Sequence, residues 1–346
     1  MARKRITSNQ KPLTHEQKVQ RLDKQISEWT SDYTVDYCFN HFIIEQLTKQ
    51  SAKETISFYK RCYKKLCLYF DEVFKHTPKE IPIEILESDV LQFAYMEVLK
   101  KQNLNVQTIN SYLRGYRAFG NWCVKKGYIE SFECPIKEVE PPVKVVYTDA
   151  ELERLRVKPE YPIERNFLDW RTYCAISIML NCGARSNTLL NMKIKDIDLD
   201  EGYIALNVTK TNKVVRLGLY EDVANDLREW IMWRKLKGAE DDDYLLSNEY
   251  GEQLARSSFC KSVRVYNERR GVDKSSIHLF RHTFAKLWIT SGGDIVTLQR
   301  ILTHSELDMV KRYANLYGLD IKKEIEEHSA ISQLHHKKGK SLRSKK

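Results

Sequence analysis

The chain has 346 residues, 42% of them hydrophobic, which is enough for about two domains with separate cores. No apolar run approaches the roughly 18 residues of a membrane span, and no apolar stretch follows the charged N-terminus, so neither a transmembrane helix nor a secretory signal is expected. The eight cysteines include no CxxC pair. We interpret them as reduced core residues of a cytosolic protein, not as disulfide or zinc ligands.

The net charge is +10, from 57 Lys and Arg against 47 Asp and Glu, and it is concentrated at the two ends. Arg3, Lys4 and Arg5 stand near the start, and the final stretch HKKGKSLRSKK contains no acid. Such tails are commonly just solvated, but a basic chain also attracts polyanions, of which nucleic acid is the commonest. Charge alone leaves both interpretations open.

Residues 53–70 and 106–126 have the periodicity of amphipathic helices, with basic residues off the apolar stripe. The apolar positions are Ile56, Tyr59, Tyr63, Leu66 and Phe70 in the first and Ile109, Leu113, Tyr116 and Cys123 in the second. The charged faces are either simply solvated or lie on phosphates, and the lack of acids over 59–69 favours phosphates. The candidate DNA contacts are Lys60, Arg61, Lys64, Arg114 and Arg117. Residues 83–101 predict a further helix.

A change of composition separates this helical region from the rest of the chain. Residues 135–147 are proline-rich and extended in character, and they predict a linker. Thr148 and Glu151 form a capping box that begins a helix over 149–156, and a second helix is expected over 166–182. Residues 203–219 alternate and predict a β-hairpin with Lys210 and Lys213 at its tip. The second domain is therefore mostly helical with one small sheet.

Residues 278–316 contain three histidines, His278, His282 and His304, whose spacing raises the possibility of a zinc site. The metalloprotease pattern needs Glu directly after the first histidine, where this chain has Leu279. No acidic residue stands out as a fourth ligand. A nucleotide-binding P-loop is also not expected, because the only GKS sequence lacks its upstream glycine. We therefore expect neither a metal nor a cofactor.

A second interpretation of the same stretch is a packed helical core, and it accounts for the apolar residues. These are Leu279, Phe280, Phe284, Leu287, Trp288, Leu298, Ile301 and Leu302. The polar residues predict something more. His278 and Arg281 share a helix face, Asp294 is the expected N-cap of the helix that leads to His304, and Tyr313 lies on the helix beyond. These groups can converge on one site.

This arrangement resembles the C-terminal signature of the tyrosine recombinases, the integrase family of site-specific DNA recombinases. The signature is H-x-x-R, a glycine-bearing turn, L-G-H, and a tyrosine nine residues after that histidine. An arginine in a motif like TGLRISELL lies upstream, and a lysine on a β-hairpin lies between the two. The matching residues are Arg185, Lys210, His278, Arg281, His304 and Tyr313. Two positions depart from the pattern, because Thr303 replaces the glycine before the histidine and Thr188 replaces an acid.

The resemblance implies that Tyr313 attacks a DNA phosphodiester and leaves a 3′-phosphotyrosyl link with a free 5′-hydroxyl. It implies that Arg185 and Arg281 hold the non-bridging oxygens and that His278 assists deprotonation of Tyr313. Lys210, with Lys213 as its rival, is the candidate acid for the leaving oxygen. His304 is expected to hydrogen-bond the phosphate. Thr303 and Thr188 put the efficiency of the site in question, not its reaction class.

The resemblance also implies an architecture, which is mainly α with a small antiparallel β-sheet, in a two-domain C-shaped clamp. The expected parts are a basic arm (1–34), a helical core-binding domain (35–134), the linker (135–147), an integrase-type catalytic domain (148–330) and a basic tail (331–346). The implied partners are double-stranded DNA and three further copies in a homotetramer on two DNA sites, and the need for an accessory DNA-bending or directionality protein is left open. The implied function is integration, excision or resolution of a mobile element or replicon by a nucleoid-associated, cytoplasmic enzyme, with a mobile element favoured.

Two other functions compete with recombination. A type IB topoisomerase shares the chemistry but not the strand exchange, and a non-catalytic relative uses the same clamp only to bind DNA. A binding protein has no use for Tyr313, which argues against the second. The segment after Tyr313 predicts a short helix that either packs locally or docks on a neighbouring protomer.

Overall fold

The computed structural model describes residues 33–87, 89–136, 145–208 and 213–302, together with the single residues Gln17, Gln20 and Lys24. The expectations for most of the N-terminal arm, the hairpin tip, Thr303 to Tyr313 and the C-terminal helix and tail fall outside these described residues. The chain divides into two units, Met1–Pro142 and Val143–Lys346.

The first unit is helical throughout its described part. Its elements are α1 (Val35–Thr48), α2 (Lys53–Phe74), a 3₁₀ turn (Ile83–Glu87), α3 (Asp89–Lys101) and α4 (Val106–Lys126). The predicted helices over 53–70 and 106–126 are confirmed, the first extended by one turn. The single helix predicted over 83–101 is wrong at its start. Ile83, Ile85 and Leu86 are all buried at spacings of two and one, which a tight 3₁₀ turn permits and one face of an α-helix does not.

An aromatic core holds these helices together. Phe39 on α1 stacks on Tyr63 of α2, with ring centroids 3.7 Å apart, and Phe42 lies 5.5 Å from Trp122 on α4. The predicted stripes are confirmed at their centres, because Leu66 and Phe70 of α2 are at most 3% exposed. Tyr59 and Tyr63 are only partly buried and pack at the margin of the core.

The Glu45 carboxylate links α1 to α4 at the edge of this core, and it gives a prediction for stability in acid. Glu45 accepts hydrogen bonds from Lys126, Lys49 and the Trp122 indole, and these lower the pKa of Glu45 to about 2. A depressed carboxyl pKa contributes stability that is present above the ordinary value of 4.5 and is lost as the pH falls towards 2. We expect Glu45→Gln to be less stable than wild type at pH 7 and to converge with it near pH 2.

Urea unfolding followed by tryptophan fluorescence between pH 7 and pH 2 measures this difference. The exposed Glu133 supplies the matched control, Glu133→Gln, which is expected to track wild type at every pH. A Glu45→Gln chain whose deficit stays constant down to pH 2 would contradict the assignment.

The second unit surrounds one buried helix. Its described elements are α5 (Asp149–Leu155), α6 (Phe167–Cys182), α7 (Ser186–Leu190), a 3₁₀ turn (Ile194–Asp196), β1 (Ile197–Asp198), β2 (Tyr203–Val208), β3 (Lys213–Gly218), α8 (Glu221–Leu236), α9 (Arg256–Arg269), α10 (Ile277–Thr290) and α11 (Ile295–Leu302). Helix α6 is buried along most of its length and contacts α8, α9 and α10. It therefore forms the axis on which the other helices are placed.

The local predictions for this unit are largely confirmed. The capping box is present, with Thr148 and Glu151 bonded in both directions. The hairpin is antiparallel, with Leu206 opposite Val215 and Ile204 opposite Leu217. The two-residue strand β1, which pairs with β2, was not predicted. It is too short for an alternating pattern to be visible in the sequence.

The ends of the predicted linker are built into the two units. Ile136 packs against the core of the first unit, while Tyr147 is 2% exposed in the core of the second. The Tyr147 ring stacks on Phe280 of α10 with centroids 4.4 Å apart, and its backbone N–H donates to the Thr283 hydroxyl. Residues 137–144 lie outside the described part of the chain.

All eight cysteines are free thiols. Seven are buried or partly buried as predicted, but Cys260 on α9 is exposed, so its assignment to the core is wrong. In the part of the chain that the structure describes, the helices are all too short or too polar to cross a membrane.

Candidate active site

The turn after α6 presents the first predicted arginine. Helix α6 ends at Gly183, which has the left-handed conformation with φ of +60°. Arg185 follows two residues later as the N-cap of α7 and is partly exposed. A residue with a side chain adopts such a φ only at a cost, so the glycine allows the sharp change of direction between the two helices.

Arg281 on α10 reaches this turn from the other side. Its side chain is 4% exposed, and its guanidinium donates to the carbonyl oxygens of Gly183 and Leu302, the second at 2.7 Å. Arg185 donates to the same Leu302 oxygen at 3.2 Å. The two arginines thus meet at one backbone carbonyl, immediately before Thr303 and His304.

This meeting point concentrates positive charge. Two permanently charged guanidinium groups that share one acceptor repel each other, and a negative group placed beside them relieves that repulsion. Arg185 is the more accessible of the two, because Arg281 is buried and uses its fork on the protein backbone. The binding of a phosphate by Arg281 stays a prediction, and in the structure its guanidinium donates to two backbone carbonyls.

A small apolar cluster packs against Gly183, whose carbonyl accepts a hydrogen bond from Arg281. Phe284 of α10 and Leu298 and Leu302 of α11 are among its buried members, and Phe284 and Leu302 lie against Gly183. A Cβ atom added at Gly183 would lie 2.6 Å from the Phe284 ring and 3.0 Å from a Leu302 methyl group. The close approach fixes α11, and with it the Leu302 carbonyl, against the end of α6.

The neighbouring thiol does not add a nucleophile to this site. Cys182, directly before Gly183, is 1% exposed, and burial raises the pKa of its thiol to about 12. A thiol that stays protonated is a poor nucleophile and a poor metal ligand. Cys182 therefore acts as a packing residue.

His278 lies at the exposed start of α10, on its second residue. Its Nε2 atom is 3.4 Å from an Nη2 of Arg256, the first residue of α9. His282, four residues further on, is 6% exposed, so the two histidines of the zinc alternative occupy different environments. His278 and Arg281 lie three residues apart on α10, as predicted, with His278 exposed and Arg281 buried.

Of the apolar residues predicted to bury α10, Phe280 and Phe284 do so, whereas Leu287 is 39% exposed. The assignment of Leu287 to the core is therefore wrong, and Ile289 takes the buried position in that turn. Asp294 caps α11 as predicted, because its carboxylate accepts from the Thr297 N–H at 2.6 Å.

The five basic residues predicted to contact DNA are all exposed on α2 and α4. Arg61 lines a groove of about 330 Å³ between these helices, together with Phe58 and Asn105. Arg117 has a structural bond that the pattern did not reveal, because its guanidinium donates to the Cys134 carbonyl at 2.7 and 2.9 Å. Lys60, Lys64 and Arg114 keep their role as predictions.

Three of the six motif residues, Lys210, His304 and Tyr313, lie outside the described residues, as does the side chain of Lys213. Among the others, the structure brings Arg185 and Arg281 together and places His278 beside Arg256. The role of Gly183 was visible in the sequence only as the glycine of the upstream arginine motif. Arg256 gave no signal, because it is 22 residues from His278 and fits no motif.

The sequence model of the phage integrase family matches residues 146–318. The chain belongs to the phage integrase family. The match covers half of the chain and spans all six motif residues. The predicted resemblance to the tyrosine recombinases is thereby confirmed.

Relatives of this integrase-family chain agree with that assignment. It is 23% identical to tyrosine recombinase XerC of Chlamydia caviae over 254 residues, 72% of this chain and 80% of that protein. It is 24% identical to tyrosine recombinase XerD of Oceanobacillus iheyensis over 284 residues, 80% of this chain and 92% of that protein.

Solved structures share the fold. The XerH site-specific recombinase bound to its difH substrate before cleavage is 21% identical, with a TM-score of 0.63, over 91% of this chain and 94% of that one. The Tn1549 transposon integrase in complex with transposon right end DNA is 20% identical, with a TM-score of 0.63, over 86% of this chain and all of that one. The predicted fold class, mainly α with a small antiparallel sheet, is confirmed.

Proposed function

We propose that this chain is a site-specific recombinase that cuts and rejoins duplex DNA through a 3′-phosphotyrosyl intermediate on Tyr313. Its family makes it an enzyme of DNA strand cleavage and rejoining. Covalent catalysis splits the exchange of one phosphodiester for another into two steps of similar energy, so the bond energy stays in the protein–DNA link. Neither ATP nor another cofactor is then required for resealing.

One observation carries this proposal, namely the convergence of Arg185 and Arg281 on the Leu302 carbonyl. A phosphodiester under attack carries extra negative charge on its non-bridging oxygens, and a preorganised cationic site stabilises that charge. Arg185 has the exposure to bind a phosphate oxygen directly. Arg281 adds its charge from the buried side and binds the carbonyl of Leu302, two residues before His304 in the sequence.

The remaining roles follow the family motif. Tyr313 attacks phosphorus as its proton passes to His278, and the departing 5′-oxygen takes a proton from Lys210, with Lys213 as the alternative donor. His304 donates a hydrogen bond to the phosphate. Thr303 and Thr188 alter the turn and the surroundings of the site without removing any of these groups.

The substrate we propose is double-stranded DNA. Among the similar structures, the Tn1549 transposon integrase is in complex with transposon right end DNA and XerH is bound to its difH substrate. Residues 35–134 would act as the core-binding domain, with Lys60, Arg61, Lys64, Arg114 and Arg117 on backbone phosphates, and residues 148–330 as the catalytic domain. The active assembly would be a homotetramer on two DNA sites, aided by an accessory DNA-bending or directionality protein. Integration, excision or resolution of a mobile element or replicon, at the nucleoid, is the proposed setting.

A covalent trap tests the reaction. Full-length protein is incubated with nicked duplexes drawn from the DNA that flanks its own gene, so that the cleaved strand diffuses away. We expect a denaturant-stable protein–DNA adduct with wild type and none with Tyr313→Phe, whose ring lacks only the attacking oxygen. Tyr250→Phe is the matched control, because Tyr250 is 85% exposed on a turn remote in sequence from the motif.

Tight binding without an adduct on any duplex would contradict a catalytic role and favour a DNA-binding relative. An adduct that forms on a single site, with relaxation but no strand exchange, would favour a type IB topoisomerase. Analytical ultracentrifugation on DNA separates these cases, since recombination requires four copies on two sites.

A further inference from the structure

Arg256 and His278 form a contact that the family motif does not explain. They begin two different helices, α9 and α10, and both side chains are exposed to ligands. The distance of 3.4 Å from Arg256 Nη2 to His278 Nε2 makes this a long and weak hydrogen bond. A stronger acceptor that reached Arg256 would therefore displace His278.

The contact bears on which nitrogen of the imidazole ring carries the proton. A guanidinium has five N–H donors, no acceptor, and a charge that it keeps at all ordinary pH values. As a hydrogen bond, this contact can only have His278 Nε2 as its acceptor, and that arrangement corresponds to a neutral ring with its proton on Nδ1. The start of α10 favours the same state, since the positive end of a helix dipole disfavours a further positive charge there.

We propose that Arg256 is a positioning residue that holds His278 in this neutral form until a DNA phosphate takes over the guanidinium. The inference rests on the proposed function, in which His278 accepts the Tyr313 proton. A hydrogen bond from a cation to phosphate is about twice as strong as one between neutral groups and is also stronger than this long contact to an imidazole. DNA binding then frees the Nε2 lone pair where it is needed.

The proton step is balanced by groups already named. The Tyr313 O–H bond breaks and its proton moves to the freed Nε2, which leaves His278 as an imidazolium. The phenolate oxygen forms the bond to phosphorus, and the bond to the 5′-oxygen breaks as that oxygen receives the lysine proton. Arg256 itself takes no proton, since it only releases the base and binds a phosphate oxygen.

The test is the tautomer of His278, observed by long-range ¹H–¹⁵N correlation in the ¹⁵N-labelled full chain. His278→Gln identifies the signals. In free wild type we expect Nε2 to have the shift of an unprotonated nitrogen. Arg256→Ala is expected to move population towards the form with the proton on Nε2, and Arg256→Lys to restore the wild-type form, because an ammonium is also only a donor.

The control is Arg264→Ala, which removes an exposed arginine from the same helix without touching His278. It should leave the His278 signals and the rate of adduct formation unchanged. Arg256→Ala should slow adduct formation about 10-fold, a part of the 10²- to 10⁴-fold that a general base contributes. Addition of a duplex should shift the His278 signals in wild type, and less in Arg256→Ala.

Two results would overturn the inference. One is a proton on His278 Nε2 in the free wild-type protein. The other is an Arg256→Ala chain whose His278 signals, and their response to DNA, match those of wild type. If wild type forms no adduct on any duplex, the proposed function fails, but the tautomer still reports directly on the Arg256 contact.

Discussion

Replacing Arg281 by alanine is expected to lower adduct formation by on the order of 10²-fold or more and to destabilise the second unit by about 1–3 kcal/mol. The loss of activity follows from the loss of positive charge where phosphate negative charge develops. The loss of stability has a separate cause. The guanidinium donates to the Gly183 and Leu302 carbonyls, but the Leu302 oxygen also accepts from Arg185. The loss of a donor therefore falls on the Gly183 carbonyl, and a buried carbonyl without a donor costs about 1–3 kcal/mol.

Urea unfolding and the nicked-duplex trap measure the two effects independently. Arg281→Lys keeps the charge but presents its donors from one point, so it should recover part of the activity and little of the stability. Arg264→Ala is the control for loss of an exposed arginine and should stay within about 0.5 kcal/mol of wild type. An Arg281→Ala chain as stable as that control would show that the carbonyl contacts do not form in solution.

Replacing Gly183 by alanine is expected to destabilise the second unit by about 2–5 kcal/mol and to slow adduct formation by at least about 10-fold. The left-handed backbone costs a side chain about 1–2 kcal/mol, and the clash with Phe284 and Leu302 adds about 1–3 kcal/mol. Relief of the clash would move the Leu302 carbonyl, and both arginines bind that atom. We therefore expect adduct formation to fall by more than the unfolded fraction of the Gly183→Ala protein can explain.

Gly127 offers a matched control for this experiment. It ends helix α4 with a φ of +74°, and a Cβ atom there would meet no other atom within 4 Å. Gly127→Ala should therefore show only the backbone cost, with activity retained. If Gly183→Ala and Gly127→Ala lose equal stability, packing against Phe284 and Leu302 is not what requires glycine at the end of α6.

The amino-acid sequence by itself determined those features that depend on neighbours along the chain. Helices α2 and α4, the capping box at Thr148 and the Asp294 cap are confirmed, because periodicity and capping act over three or four residues. The order and spacing of the six motif residues predicted the family correctly for a related reason, because both can be read from the sequence alone. The local errors, at residues 83–87 and at Leu287, fall where burial does not follow a single helical face.

Only the tertiary structure decided how the motif residues are used. Arg281 meets Gly183 across 98 residues, and Arg185 meets Leu302 across 117. The burial that turns Arg281 towards the backbone arises from the packing of α10 on α6, and the exposure of His278 from its place at the start of α10. Contacts between residues so far apart depend on how helices pack, and no spacing in the sequence encodes that packing. The pairing of Arg256 with His278 is of the same kind, since the starts of two helices have to meet before the two side chains can lie 3.4 Å apart.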